Sequence, residues 1–184
     1  MSAAPRRWAA ELLHFWFETL GPRDWFRGGP NVDEALRRRF EPDLLALFTQ
    51  SADRFLADPP TARAAVLLFD QLPRNLYRGR AEAFAFDPLA RNIAREAIAR
   101  GWDRGLAKAG RQFLGLPLMH SEHVADQRAS LAYYAPLGDA FTWSFARSHY
   151  RMIARFGRFP HRNAALGRTS SPAELAAIGQ GNTW

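Results

Sequence analysis

The residues with the greatest potential for chemistry form three polar clusters, each next to a proline at a predicted helix break. The last of these segments, 156–168, reads F-G-R-F-P-H-R-N-A-A-L-G-R and holds three arginines, a histidine and an asparagine. Helix ends leave backbone N–H groups without intrahelical partners, so arginine and asparagine donors placed there favour anion binding. The three clusters are Asp70, Gln71, Arg74 and Asn75; His120, Glu122, His123, Asp126 and Gln127; and Arg158, His161, Arg162 and Asn163.

The leading hypothesis is a binding domain in which the three clusters converge on one groove. Its ligand would be an anionic small molecule or a peptide, because arginine supplies charge-assisted hydrogen bonds to carboxylate and phosphate groups. The predicted ligand-binding residues are Arg74, Asn75, Gln71, Gln127, Arg158, Arg162 and Asn163. A purely structural role, in which these side chains cap helices and tie loops together, stays open beside it.

The second hypothesis is a small hydrolase or lyase that uses general acid–base catalysis. His161 is the candidate general base, with Glu122 or Asp70 to orient it, and His120 is a further candidate catalytic residue. The sequence has no cysteine and no G-x-S-x-G elbow, so nothing indicates an activated nucleophile. Whether the protein is an enzyme therefore stays open at the level of sequence.

The segment 120–123, H-S-E-H, has metal-binding residue types but the wrong spacing. A zincin places two histidines four residues apart on one helical face, whereas these two are three apart. The absence of cysteine also excludes a thiolate zinc site. We therefore expect no metal site and no cofactor.

The net charge of +7 raises the question of a nucleic-acid partner. Lys108 is the single lysine, and the arginines are spread along the chain, mostly among acidic residues, instead of forming one basic patch. We do not expect a nucleic acid to be a partner. No apolar run reaches the roughly 18 residues that a membrane span needs. We expect a soluble, cytoplasmic protein without a membrane partner, and the sequence predicts no oligomeric state.

The elements that position these clusters are predicted to be helices throughout, because apolar residues recur at helical spacing and no alternating strand pattern occurs. We expect a helix to restart at Pro42, Thr61 to cap a buried helix after Pro59-Pro60, and Gly157 to end a helix over 141–156. Ser121 is a predicted cap, and Ser171-Pro172-Ala173-Glu174 is a capping box. The chain is predicted to be one all-α domain over 1–184, with a loose C-terminal tail at 180–184.

Three of the predicted helix ends share a pattern, which indicates a weak internal repeat. Each has an aromatic residue, two spacers, an apolar residue and a proline, and the prolines Pro73, Pro117 and Pro160 lie 44 and 43 residues apart. A period near forty is within the range of helix-pair arrays. The alternative is coincidence, since helices often end before a proline.

Four segments carry a resemblance to a known family. They are 69–79, F-D-Q-L-P-R-N-L-Y-R-G; 83–90, A-F-A-F-D-P-L-A; 113–122, F-L-G-L-P-L-M-H-S-E; and the 156–168 segment. Together they resemble the bacterial domain-of-unknown-function 924 family over nearly the whole chain. The resemblance implies an all-α, tetratricopeptide-like array of antiparallel helix pairs in one domain, with no established activity. Leu72 and Gly115 depart from the family pattern, which usually has aromatic residues there, so ligand size does not carry over.

Overall fold

The structure is a computed structural model that describes residues 6–181, and these residues form helices, turns and bends without a β-strand. The predicted all-α fold class is confirmed. The predicted loose tail at 180–184 lies partly outside the described residues. Gln180 and Gly181 close the last helix in a turn, and 182–184 are outside.

Ten α-helices follow one another within the described residues, joined by short 3₁₀ and π-helical segments. The helices are α1 (Arg7–His14), α2 (Pro22–Arg27), α3 (Pro30–Leu47), α4 (Pro59–Val66), α5 (Leu72–Leu76), α6 (Asp87–Ala99), α7 (Lys108–Met119), α8 (Val124–Tyr134), α9 (Ala140–Phe156) and α10 (Pro172–Gly179). The π-helical segments are Phe15–Thr19, which prolongs α1, and Leu67–Gln71, which joins α4 to α5. The 3₁₀ segments are Ala52–Phe55, Ala81–Phe84, Ala135–Leu137 and Pro160–Arg162.

The structure divides into two compact units. Unit 1 comprises the chain up to Arg78 together with Glu82–Pro117, and unit 2 comprises Gly79–Ala81 and the chain from Leu118 onward. The single domain over 1–184 and the tetratricopeptide-like arrangement of helix pairs both stay predictions.

Unit 1 is built around the continuous helical stretch that runs from α4 through the π-helical turn into α5. α4 packs against α1 and α6, and α5 packs against α3. Every residue from Ala64 to Pro73 is buried, including Phe69 and Leu72 at 0% exposure. A helix that is apolar nearly all round must be enclosed by others, and this explains the long V-L-L-F run in the sequence.

Unit 2 is built on the pair α8 and α9, which pack against each other. The buried face of α9 contributes Met152 and Ile153 to a small core that also contains Phe159 and Ala177. α9 ends at Phe156, and Gly157 follows it with a left-handed φ of 69°. That conformation has no steric cost for glycine, so the predicted end of this helix is confirmed.

Three predictions that treated prolines as helix breaks are wrong. Pro42 lies inside α3, and Pro117 lies inside α7, so both helices continue through their proline. Pro59 begins α4 instead of ending an earlier helix, and Asp58, not Thr61, is the cap. Proline is tolerated in a first turn because its missing N–H has no intrahelical partner there, and packing outweighs the cost inside longer helices.

The predicted repeat of helix corners is also wrong. Pro73 lies within a continuous helical stretch just after a π-helical turn, Pro117 lies inside α7, and Pro160 begins a 3₁₀ turn. The three prolines therefore occupy different backbone settings. Their regular spacing does not reflect one repeated corner.

Candidate functional site

In unit 1 the predicted cluster is organised around Arg74. Its Nη1 and Nη2 donate to Asp87 Oδ1 at 2.8 Å and Oδ2 at 2.9 Å, and Nη1 lies 3.3 Å from Asp70 Oδ1. Burial lowers the pKa of this guanidinium, but the charges of Asp70 and Asp87 and the hydrogen bonds to Asp87 raise it by more. Arg74 is therefore held by two carboxylates of its own unit.

The amide side chains of this cluster also bind within unit 1. Gln71 donates from Nε2 to Asp70 Oδ2, and Asn75 donates from Nδ2 to the Gln71 carbonyl at 3.0 Å. Arg78 donates to Asn75 Oδ1 at 2.8 Å and to both carboxylate oxygens of Asp33 at 2.9 and 3.2 Å. These bonds fix the turn after α5 to the start of α3.

In unit 2 the turn between α7 and α8 is closed by side chains. α8 begins after His123, so Ser121 is not its cap. Ser121 Oγ instead donates to Asp126 Oδ2 at 2.7 Å and accepts from the His123 N–H at 3.1 Å. Gln127 donates from Nε2 to the carbonyls of Met119 at 2.6 Å and Ser121 at 2.7 Å. Gln127 therefore holds the end of α7 against the start of α8.

Glu122 joins this turn to the segment after α9. Its Oε1 accepts from the backbone N–H of Phe159 at 2.9 Å, and Arg168 Nη1 donates to both carboxylate oxygens at 2.9 and 3.0 Å. The predicted role of Glu122 in orienting His161 stays a prediction. Asp70, the other carboxylate proposed for that role, belongs to unit 1.

Arg158 and Asn163 tie the same segment to the start of α10. Arg158 donates to both carboxylate oxygens of Glu174 and to the carbonyl of Thr169, and Asn163 donates to Ser170 Oγ at 3.0 Å. The side-chain hydrogen bond from Arg158, followed by the backbone N–H of Ser171, lowers the pKa of Glu174 to about 2. The predicted capping box of α10 is confirmed.

Two histidines and an arginine contact the fully buried ring of Phe159, and a third histidine lies beside one of them. The ring centroids of His149 and His161 lie 5.4 and 5.7 Å from that of Phe159, and Arg162 Cζ lies 4.5 Å above it. His120 lies 6.1 Å from His149, and its carbonyl accepts from Arg162 Nη2 at 2.9 Å. We call His120, His149, His161 and Arg162 the imidazole cluster. Its two half-exposed members are His120 and His161.

The electrostatics of this cluster act on the pKa of His149. Burial, followed by the charges of His120, Arg162 and His161, lowers its pKa to about 3, against a hydrogen bond to the Phe145 carbonyl that raises it. The distance from Nδ1 to that carbonyl is 2.9 Å, and a carbonyl only accepts. The ring is therefore neutral with Nδ1 protonated and Nε2 as an acceptor.

The structure thus brings three predicted site residues, His120, His161 and Arg162, into one cluster. His149 lies on the buried face of α9 and is 3% exposed. Sequence reasoning missed its contact with the other imidazoles. A titratable residue on an apolar face was the available signal.

Two further observations bound the chemistry of the described residues. Within 6–181, no group of three or more histidine, aspartate or glutamate side chains is arranged to hold a metal ion. Over the same range, every helix is too short or too polar to cross a membrane.

Comparisons with known proteins give a family but no activity. Residues 12–182 match the family described as "Bacterial protein of unknown function (DUF924)". The solved "Structure of Protein of Unknown Function ATU0120 from Agrobacterium tumefaciens" is 37% identical, with a TM-score of 0.88, and the match covers 94% of this chain and 97% of that one. A search of curated proteins finds no significant similarity. The chain therefore belongs to the bacterial DUF924 family.

Proposed function

We propose that the protein binds a small anionic molecule, or the carboxylate of a peptide, at the imidazole cluster of unit 2. The observation that carries this proposal is the set of side chains acting on His149. His120, Arg162 and His161 each lower its pKa, the guanidinium through its permanent charge and the two imidazoles through the charge they carry when protonated. A site with such charges attracts an anion, and burial strengthens the attraction.

His120 and His161 are half-buried, so an anion from solvent can reach them. Arg162 and His149 are buried, at 6% and 3% exposure. The buried pair then forms the floor of the site. Gln127 and Asn163 fix the two turns on which His120 and His161 lie. This keeps the predicted binding role for Arg162 and gives the two amides a supporting one.

Arg74 and Arg158 take a different part in the proposal from the one that the sequence indicated. Each makes a two-pronged ion pair with a carboxylate of its own unit, Asp87 and Glu174 respectively. An anionic ligand would have to displace that carboxylate, which is already in good geometry. We therefore assign each of these two arginines to the architecture of its own unit, Arg74 to unit 1 and Arg158 to unit 2.

The pKa of His149 favours a role in ligand binding over a role as a general base. A general base works best when its pKa lies near the working pH, and that of His149 is about 3. At neutral pH its Nε2 accepts a hydrogen bond but takes up a proton poorly. His149 therefore serves as an acceptor for a ligand hydroxyl or amide.

The test is a histidine NMR titration of the full chain at low salt with inorganic phosphate, succinate and an N-acetylated dipeptide. We expect at least one anion to shift the resonances of His120 and His161. His161→Ala should weaken its binding by about 10-fold or more, the value of one charge-assisted hydrogen bond. Arg147→Ala, on an exposed position of α9, is the matched control. Equal affinity in wild type and His161→Ala, or unmoved imidazole resonances at millimolar anion, would contradict the proposal.

A further inference from the structure

Unit 1 contains an arginine that is half-buried and makes no ion pair or hydrogen bond within residues 6–181. Arg63 lies on α4, and its Nε is buried without a hydrogen-bond partner. Its guanidinium carbon lies 5.3 Å from the centroid of the Phe17 ring, a cation–π contact. Burial alone accounts for the lowered pKa of Arg63, so no carboxylate acts on it. A half-buried charge has lost part of its hydration, so an anion that pairs with it would restore part of that loss.

The surroundings of Arg63 are aromatic. The ring of Phe113 on α7 lies 5.9 Å from Phe17, 5.4 Å from Trp16 and 5.2 Å from Trp25, and it stacks with Phe26 at 6.2 Å. We call Arg63 together with these rings the Arg63 site: Arg63, Trp16, Phe17, Trp25, Phe26 and Phe113. Phe26 is 52% exposed and Trp25 is half-buried, so the aromatic group reaches solvent.

A second polar group in this set also has no partner. Trp16 is 1% exposed, and its indole Nε1 is buried without a hydrogen bond. Trp25, in contrast, donates its indole N–H to the Trp16 carbonyl at 2.8 Å. Buried donors in native proteins are nearly always satisfied, so one without an acceptor among residues 6–181, in the same aromatic group as Arg63, is consistent with an acceptor supplied by a ligand.

The backbone around the site allows the guanidinium to approach closely. A Cβ built on Gly110 would lie 3.4 Å from Arg63 Nη2, so a larger side chain there would press on the guanidinium. Trp16 and Phe17 lie in the π-helical segment Phe15–Thr19. Turns of this kind are rare and occur often at functional sites.

We infer that the Arg63 site binds an organic carboxylate with an aromatic body. The planar guanidinium fork matches a carboxylate in two parallel hydrogen bonds, and the exposed aromatic rings supply contact area for an apolar body. Inorganic phosphate offers the charge without the body and is expected to bind much more weakly. This inference is independent of the proposed function, since all its residues belong to unit 1 and those of the imidazole cluster to unit 2.

The experiment is a calorimetric and tryptophan-fluorescence titration of the full chain with phenylacetate and its neutral isostere phenylacetamide. We expect phenylacetate to bind at least about 10-fold more tightly, the value of one charge-assisted contact. Arg63→Met removes the charge at similar length and should abolish this preference. Arg38→Met, exposed on α3, and His161→Ala in the imidazole cluster should both retain it.

Thermal melting separates a ligand site from a structural arginine. Without ligand, Arg63→Met should melt at or above the wild-type temperature, because an uncompensated charge is removed, and phenylacetate should raise the melting temperature of wild type only. Should Arg63→Met fail to fold, Arg63→Lys keeps the charge but not the fork and should reduce the preference. Equal binding of phenylacetate and phenylacetamide to wild type would overturn the inference, as would a preference that is as large in either folded variant as in wild type.

Discussion

The guanidinium of Arg158 and the carboxylate of Glu174 form a two-pronged ion pair, with Nε 2.7 Å from Oε1 and Nη2 3.0 Å from Oε2. The same carboxylate accepts from the Ser171 N–H at 2.8 Å, which completes the capping box of α10. One side chain therefore fixes both the start of α10 and the segment that follows α9. Glu174 thus stabilises the position of α10 in unit 2, together with the packing of Ala177 in its core.

Glu174→Gln should lower the melting temperature at pH 7 by several degrees, and the loss should shrink on acidification. The folded-state pKa of about 2 lies below the usual value near 4.3, so the carboxylate stabilises the fold above about pH 4.5. That contribution is lost as the pH falls through about 2. Thermal melting of both proteins between pH 2 and 7 measures this. A difference that stays constant over that range would show that the charge is not responsible.

Arg74→Ala should destabilise the protein by about 3–5 kcal/mol, because it removes the guanidinium that pairs with the buried carboxylate of Asp70 and with Asp87. Asp70 is 0% exposed, and Arg74 is the cation beside it. Urea unfolding followed by circular dichroism gives the free energy of unfolding. Arg38→Ala is the control, since an exposed arginine should change stability by about 0.5 kcal/mol or less. A small effect of Arg74→Ala would contradict the importance of this ion pair for stability.

His149→Gln should make the protein less sensitive to mild acid. The folded-state pKa of His149, about 3, lies below the unfolded value near 6.5. Between these two pH values the imidazole is protonated in the unfolded chain and neutral in the folded chain. Wild-type stability should therefore fall by about 1.4 kcal/mol per pH unit from this residue as the pH drops from 6.5 towards 3. His149→Gln should lack that slope. Urea titrations at several pH values check it, and parallel slopes would contradict the assignment.

Glu122→Ala and Glu122→Gln should differ in stability. Phe159 is 0% exposed, so removing the acceptor of its backbone N–H should cost about 1–3 kcal/mol. Glutamine keeps a carbonyl acceptor and loses only the half-buried pair with Arg168, which is worth about 1 kcal/mol or less. Denaturant unfolding of the two variants measures the difference. Equal losses would mean that the ion pair, not the amide bond, is the important contact.

The sequence predicted the features that depend on neighbouring residues. The end of α9 at Gly157 and the capping box at Ser171 were both predicted, because their signals lie within a few positions. The helix breaks predicted at Pro42 in α3 and Pro117 in α7 were wrong, since packing outweighed the local cost of a proline inside a helix. In the site, the predicted residue types were found, but not their partners.

The partners were hidden because they are distant in sequence. Glu122 and Arg168 lie 46 positions apart, and Arg74 and Asp87 lie 13 apart. No spacing rule links such pairs, so a sequence with many arginines offers many equal choices. The contact of His120 with His149 likewise depends on the fold, and the lack of a carboxylate partner for Arg63 among residues 6–181 can be seen only in the structure.

The π-helical turn at Leu67–Gln71 sets the direction of Arg74. Such a turn holds one residue more than an α-turn, and each residue of a helix rotates the chain by about 100°. Deleting one residue there would leave a helix but swing Arg74 by roughly that angle away from Asp87. The ion pair is therefore specified by the count of residues before Pro73 as well as by their identity. Insertions and deletions in this segment, as well as substitutions, therefore decide whether the ion pair between Arg74 and Asp87 can form.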